Sequence, residues 1–469
     1  MPEQIRDMSL AAVVQALRDG SLSAIELTQS CIDSHDASLN AYREWTPDLA
    51  LEQARAADEA FANAQDSGAL QGIPISVKDL YGVDNTATFA GSPAPMPRPW
   101  QAEGDLIRGL RAQHAVFSGK THTVEFAFGG LGVNSHWGTP RNPWDAKTHR
   151  VPGGSSSGAG VSLCEGSALV ALGSDTAGSV RIPASVTGNV GLKTSYGRWP
   201  ASGIFPLSPT LDTAGILTRS VADAVTAFSA MDPHQRSYGP RLAREVSRCT
   251  PADFVIGTGE SALWDDCDAG ISETVEDALK TLGQAGVQTV SAVLPEAGPA
   301  IELLKVGSVV AAEIDEILSS TAPQWRETLD PVVSSRIRDG GSISASEYLH
   351  RRRRLRELTR SAAEQFSACQ VMASPTVAIS PPAVEDVQTV EAYRPKNMGA
   401  LRNTCPANYL GLCAITLPVG LDAHQMPVGL QLIAPHGHEE QLLAIATCIE
   451  GILGSGRERL GVPPLPGRP

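Results

Sequence analysis

Gly72-Ile73-Pro74-Ile75-Ser76-Val77-Lys78-Asp79 is the stretch on which the reading of the fold turns. A short apolar run bounded by turn residues has the length of a buried strand rather than of a helix. Two similar runs follow, Ala115–Phe117 and Ala168–Leu172, with a helical pattern over Gly104–Gln113 between them. Alternation of this kind predicts an α/β fold, with a large mixed β-sheet sandwiched by helices. Upstream, the chain reads as helices as far as Gly68. Ser23 precedes apolar residues at helical spacing over Ala24–Ser34, and Thr46-Pro47 opens an alanine-rich run to Gln65, a cap followed by proline at the first helical position. Downstream, helical patterns cover Ile271–Leu282, Ile301–Leu318 and Ser344–Phe366. Strands return at Val371–Ser374, Ala414–Pro418 and Val428–Ile433, before a last helix over Glu439–Leu453. Strands at both ends of the chain predict one sheet, and therefore one domain over 1–469. Within it, 1–68 is a helical segment against the core, 69–455 the catalytic core and 456–469 a loose tail.

Composition narrows the class. Of 469 residues, 42% are hydrophobic and 19% charged, so the chain can bury a large core and does not have the composition of a disordered protein. A net charge of −14 argues against a nucleic-acid binder, which needs a concentrated positive field, and against docking on anionic membranes. The start, MPEQIRDMSLAAVVQALRDG, lacks a positive region followed by an apolar core, so no secretory signal is expected. The best apolar stretch, Tyr409–Leu421, is broken by Pro418 and is too short to span a membrane. Eight cysteines are scattered without a close pair, the pattern of reduced thiols in a cytoplasmic protein.

The chemistry concentrates in residues 129–215, rich in glycine, serine and threonine, where backbone must approach something closely. Gly154-Ser155-Ser156-Ser157-Gly158 fits a G-x-S-x-G elbow with Ser156 as the nucleophile of a serine esterase. That motif calls for a preceding strand, yet Thr148-His149-Arg150-Val151-Pro152 is polar and ends in proline. None of His350, His436 and His438 sits in a suggestive context. Read instead as a phosphate loop, the segment lacks the lysine at the required offset. His436-Gly437-His438 has no evident third ligand and reads as a surface turn rather than a metal site. The basic run from His350 to Arg354 precedes Leu355 and Leu358 at helical spacing and reads as a solvated helix face. A third reading joins Lys78 to Ser155 and to a second serine, Ser179, in Gly173-Ser174-Asp175-Thr176-Ala177-Gly178-Ser179-Val180-Arg181-Ile182-Pro183.

This set resembles the amidase signature family, whose members use a Lys–Ser–Ser triad. The resemblance extends to Phe126-Ala127-Phe128-Gly129-Gly130, to Asn134-Ser135-His136-Trp137-Gly138, to Thr139-Pro140-Arg141-Asn142-Pro143-Trp144-Asp145 and to Gly191-Leu192-Lys193-Thr194. It continues through Cys405-Pro406-Ala407-Asn408 and Pro427-Val428-Gly429-Leu430-Gln431-Leu432-Ile433, so it runs from about residue 8 to 453. Ser155 and Ser179 stand 24 positions apart, the family's spacing. The resemblance implies an amidase fold and a hydrolase of carboxamide C–N bonds, without metal or organic cofactor. It implies Ser179 as the nucleophile that forms an acyl-enzyme. Ser155 becomes the bridging serine, held by a cis peptide bond from the residue before it, and Lys78 the terminal base. The amides of Thr176, Ala177, Gly178 and Ser179 become the oxyanion hole, and Gly129 and Gly130 either line the substrate pocket or form a tight turn.

The residue types suit the task. A serine hydroxyl attacks only once a base removes its proton, and lysine is a base only when neutral, a state that burial favours. Lys78, at the end of an apolar run, is placed for burial. Ser155 can accept a proton on one side while donating on the other. Asp175 and Arg181 are expected to form an internal ion pair that pins the nucleophile loop, and Ser156 to be a structural hydrogen bonder. Ala177 stands where many relatives have glycine. Allophanate hydrolases share that alanine, which points to a small amide or urea-like substrate. Ile182 replaces the glutamine usual in the A subunit of the tRNA-dependent amidotransferase, the alternative reading as an ammonia-supplying partner in a complex. Ser157 replaces a common glycine. The pocket is expected to draw on 301–400 and 405–413. A homodimer is common for such folds.

Overall fold

The computed structural model describes residues 8–235, 241–305 and 308–465. Eleven strands lie within them: β1 Tyr42–Trp45, β2 Pro74–Lys78, β3 Val116–Thr121, β4 Val170–Asp175, β5 Val190–Lys193, β6 Thr213–Thr218, β7 Val255–Thr258, β8 Gln288–Ser291, β9 Val371–Pro375, β10 Cys413–Leu421 and β11 Pro427–Ala434. All belong to one mixed sheet, in the order β1-β3-β2-β4-β6-β5-β10-β11-β9-β7-β8. β2 runs parallel to both β3 and β4, and β4 through β9 are joined by antiparallel pairs. Every residue of β2, β3 and β4 is buried. Helices cover both faces of such strands, so their sequences read as continuous apolar runs instead of alternating ones.

The helices start where local chemistry starts them. Ser23 accepts from Glu26 N while the Glu26 carboxylate accepts from Ser23 N, a capping box that opens Ala24–Ser34. Pro47 begins Pro47–Ala62, and Glu439–Leu453 has the bounds its pattern predicts. Three expectations are revised. The segment before Gly68 is not wholly helical: β1 pairs antiparallel with β3. Four residues carry little local signal, and distant β3 supplies the pairing. The span Ile301–Leu318 falls on two helices, Ala297–Leu304 and Val309–Thr321, with residues 306 and 307 outside the described residues. The tail is partly anchored. Gly456–Leu460 is helical behind a Ser455/Glu458 capping box, and Leu465 is buried with Leu39, Ala41, Tyr42 and Val161. Residues 466–469 lie outside the described residues, as do 1–7, on which part of the signal-peptide reading falls. Among the described residues, no helix is long and apolar enough to cross a membrane.

Candidate active site

Lys78 is the last residue of β2 and is 0% exposed. Its Nζ lies 2.7 Å from Ser155 Oγ and 2.9 Å from Ser174 Oγ. Burial pushes the ammonium down to a pKa of about 7, against the upward pull of Asp175 and Asp212. An amine with that value is half neutral near physiological pH. Ser155 follows a cis peptide bond from Gly154, as the resemblance implied. Its carbonyl accepts from Val124 N at 3.1 Å. The helix Ser157–Glu165 opens two residues later and is built of small residues, because a Cβ on Gly158 would meet the Ala41 carbonyl.

Ser179 is buried on the loop between β4 and the helix Arg181–Val186. Ser156 N donates to Ser179 O at 3.2 Å, which puts the two serine loops in direct contact. The loop is held by Asp175 and Arg181. The Arg181 guanidinium, 0% exposed, donates Nε and Nη2 to the Asp175 carboxylate at 3.1 and 3.0 Å. It also reaches Thr404 O, Gln431 Oε1 and Asn408 Oδ1 at 2.9, 2.6 and 2.6 Å. Burial alone would raise the Asp175 pKa, but Arg181 overrides it and leaves the carboxyl at about 2. The ion pair therefore pins the loop, as expected.

Asp175 also corrects one residue of the expected oxyanion hole. Gly178 N donates to Asp175 Oδ1 at 2.7 Å, so this amide already has an acceptor. The amides of Thr176, Ala177 and Ser179 make no hydrogen bond among the described residues. Gly178 serves geometry instead. Its φ is +140°, and a Cβ would strike Thr404 Oγ1, the hydroxyl that donates to Ala177 O at 2.7 Å. Gly129 and Gly130 sit beside Ser155. Gly130 O accepts from Gly154 N at 2.8 Å, and Gly130 N donates to Asn397 Oδ1 at 2.7 Å. Ser156 Oγ is buried and reaches Ser174 O at 3.4 Å, the contact of a structural hydrogen bonder. His436 and His438 touch Gly411 O and Gln441 Oε1.

Two groups at the site carried no decisive sequence signal. Ser174 stands in the quoted motif, yet only the strand places its hydroxyl on Lys78. Asp212 accepts from Thr176 Oγ1 at 2.6 Å and from the amides of Leu207 and Ser208, each at 2.9 Å. Burial lifts its pKa to about 6. Ser174 and Asp212 line a cavity of about 500 Å³ walled by Trp100, Trp199 and Phe205. A second cavity, of about 700 Å³, draws on Ile317, Tyr348, Asn408 and Tyr409, in the regions from which a pocket was expected.

The Amidase family model matches residues 23–443. The chain belongs to the amidase family. This amidase is 48% identical over 462 residues to the 2-amino-5-chloromuconic acid deaminase of Comamonas testosteroni, covering 98% of this chain and 99% of the relative. It is 30% identical over 485 residues to the A subunit of the glutamyl-tRNA(Gln) amidotransferase of Gluconobacter oxydans, covering 95% and 96%. Among solved structures it superposes on an amidase crystal structure with a TM-score of 0.84 at 28% identity, covering 95% of this chain and 100% of the other. A vestigial complex described as revealing the origins of an s-triazine catabolic enzyme gives a TM-score of 0.85 at 27% identity, covering 97% and 100%. This amidase is therefore a hydrolase acting on C–N bonds, with the family's mixed sheet flanked by helices.

Proposed function

We propose that the chain is an amidohydrolase that cleaves a small carboxamide or urea-like substrate through an acyl-enzyme on Ser179. The observation that carries this reading is the fully buried Lys78 amine, 2.7 Å from Ser155 Oγ and lowered to a pKa of about 7. Neutral Lys78 accepts the Ser155 proton while donating to Ser174. Ser155 accepts the proton of Ser179, and Ser179 Oγ attacks the carbonyl carbon. The oxyanion falls to the amides of Thr176, Ala177 and Ser179, each worth about 3 kcal/mol in the transition state. The proton returns through Ser155 to the leaving nitrogen, the C–N bond breaks, and ammonia or an amine departs. Water, deprotonated along the same relay, then cleaves the ester and restores Ser179. Ser179→Ala is expected to reduce ammonia release from a panel of simple amides to background. Full activity in that variant would defeat the assignment.

A second reading is favoured by the relative at 48% identity: the same groups would release ammonia from an amino-substituted unsaturated dicarboxylic acid. Ammonia release from such an acid, measured beside that from simple amides, separates the two. The amidotransferase reading draws on relatives at 30% identity, and robust hydrolysis by the purified single chain argues against it. The esterase reading with Ser156 is opposed by that hydroxyl's contact with Ser174 O.

A further inference from the structure

We infer that Arg336 is a carboxylate-recognition residue and that the physiological substrate carries an acidic group besides the bond that is cleaved. Arg336 lies on the helix Pro331–Gly341 and lines a cavity of about 320 Å³ with Phe128, Leu304, Arg394, Asn397 and Met398. The guanidinium sits 3.9 Å over the Phe128 ring, and its Nη1 donates to Phe128 O. Among the described residues it makes no other hydrogen bond and no ion pair. A guanidinium offers five N–H donors in a planar fork shaped for a carboxylate, so most of its donors remain available.

The neighbours do not neutralise it. The groups near enough to influence it electrostatically are Tyr393, Arg394, Tyr409 and Asp339. Asp339, the one carboxylate among them, pairs with Arg394 at 2.9 Å. Two guanidinium groups therefore share a single carboxylate, which leaves the seat positive in a chain of net charge −14. A second observation is independent of charge: Tyr409 Oη is buried and has no hydrogen-bond partner among the described residues. A desolvated donor without an acceptor is costly, and an anion beside Arg336 would supply the acceptor.

The seat adjoins the chemistry. Phe128, which holds Arg336, precedes Gly129 and Gly130. Asn397, on the cavity wall, accepts from Gly130 N, and Gly130 O accepts from Gly154 N, one residue before Ser155. The apolar lining between these ends suits a short carbon chain. Arg336 thereby selects amides that carry a carboxylate, and the inference rests on Ser179 as the acyl acceptor.

The test pairs succinamate, glutaramate and adipamate with butanamide, pentanamide and hexanamide, which differ only in the terminal carboxylate. The parent protein is expected to prefer at least one acid over its neutral partner in kcat/KM. Arg336→Gln is expected to lower that preference about 10- to 100-fold, mainly through KM, as loss of a charge-assisted fork predicts. Arg336→Lys, which keeps the charge, should restore part of it. Calorimetric titration of succinate, glutarate and adipate into Ser179→Ala needs no turnover. Binding there, lost in Ser179→Ala/Arg336→Gln, supports the seat. No binding to either, equal binding to both, or an unchanged preference in Arg336→Gln overturns it. Retained hydrolysis in Ser179→Ala would instead defeat the acyl-enzyme reading, and the titration would still judge the seat.

Discussion

A lysine amine becomes a base only by losing the proton it holds in water. For Lys78 the cause is burial: no solvent reaches the Nζ, and two hydroxyls replace its hydration. The ammonium dominates below a pKa of about 7 and the neutral amine above it. Activity is therefore expected to rise with pH through about 7 and then level off. A kcat/KM profile from pH 5 to 9 tests this, and a profile that falls across that range would contradict it. Lys78→Met is expected to lower kcat about 10²- to 10⁴-fold, the usual contribution of a positioned general base, and to abolish the limb near pH 7. Asp212 opposes Lys78 at this scale: its carboxylate holds the amine's pKa up while accepting from Thr176, whose amide belongs to the oxyanion hole.

At the scale of an element, the turn between β4 and Arg181–Val186 is fixed by one carboxylate and one guanidinium. Asp175 accepts from Gly178 N and Val180 N at 2.7 and 3.1 Å, so it shapes the turn on which Ser179 rides. Gly178→Ala would introduce a Cβ where φ is +140° and Thr404 Oγ1 already stands. The expected outcome is loss of most activity with a drop of about 1–3 kcal/mol in unfolding stability, read by amide hydrolysis and by denaturant titration. Much of this element was legible in its residues, since the motif around Ser179 and the Asp175–Arg181 pair could be named. Its oxyanion amides were only partly legible. Which of four consecutive N–H groups stays free depends on where the Asp175 oxygens point, and spacing does not encode that. β1 and β5 to β8 were missed for a related reason: strands of four to six residues owe their existence to partners elsewhere in the chain.

For the whole molecule, the sheet order matters more than its content. β10 lies between β5 and β11, and β11 between β10 and β9, so the last strands of the chain occupy the middle of the sheet. The sequence pattern showed strands late in the chain and hence one sheet, but not that they fill its centre. Three of the partners of Arg181 also come late: Thr404, Asn408 and Gln431. A chain ending at residue 403 would lack β10 and β11 and leave that guanidinium buried with Asp175 alone. It is expected to show no cooperative unfolding transition by circular dichroism, whereas Leu465→Ala, at the far end, should cost only about 2–3 kcal/mol as a buried leucine truncation.

The position of Ser155 has a further consequence. An uncharged primary amine is a better nucleophile toward an ester than water is, so a base of this kind beside an acyl-enzyme is a standing risk of self-acylation. With Ser155 Oγ on one side of Nζ and Ser174 Oγ on another, the lone pair is engaged by a hydroxyl instead of facing the ester carbon. The bridging serine thus acts as an insulator as well as a conductor, passing protons while keeping the amine from capturing the acyl group for itself.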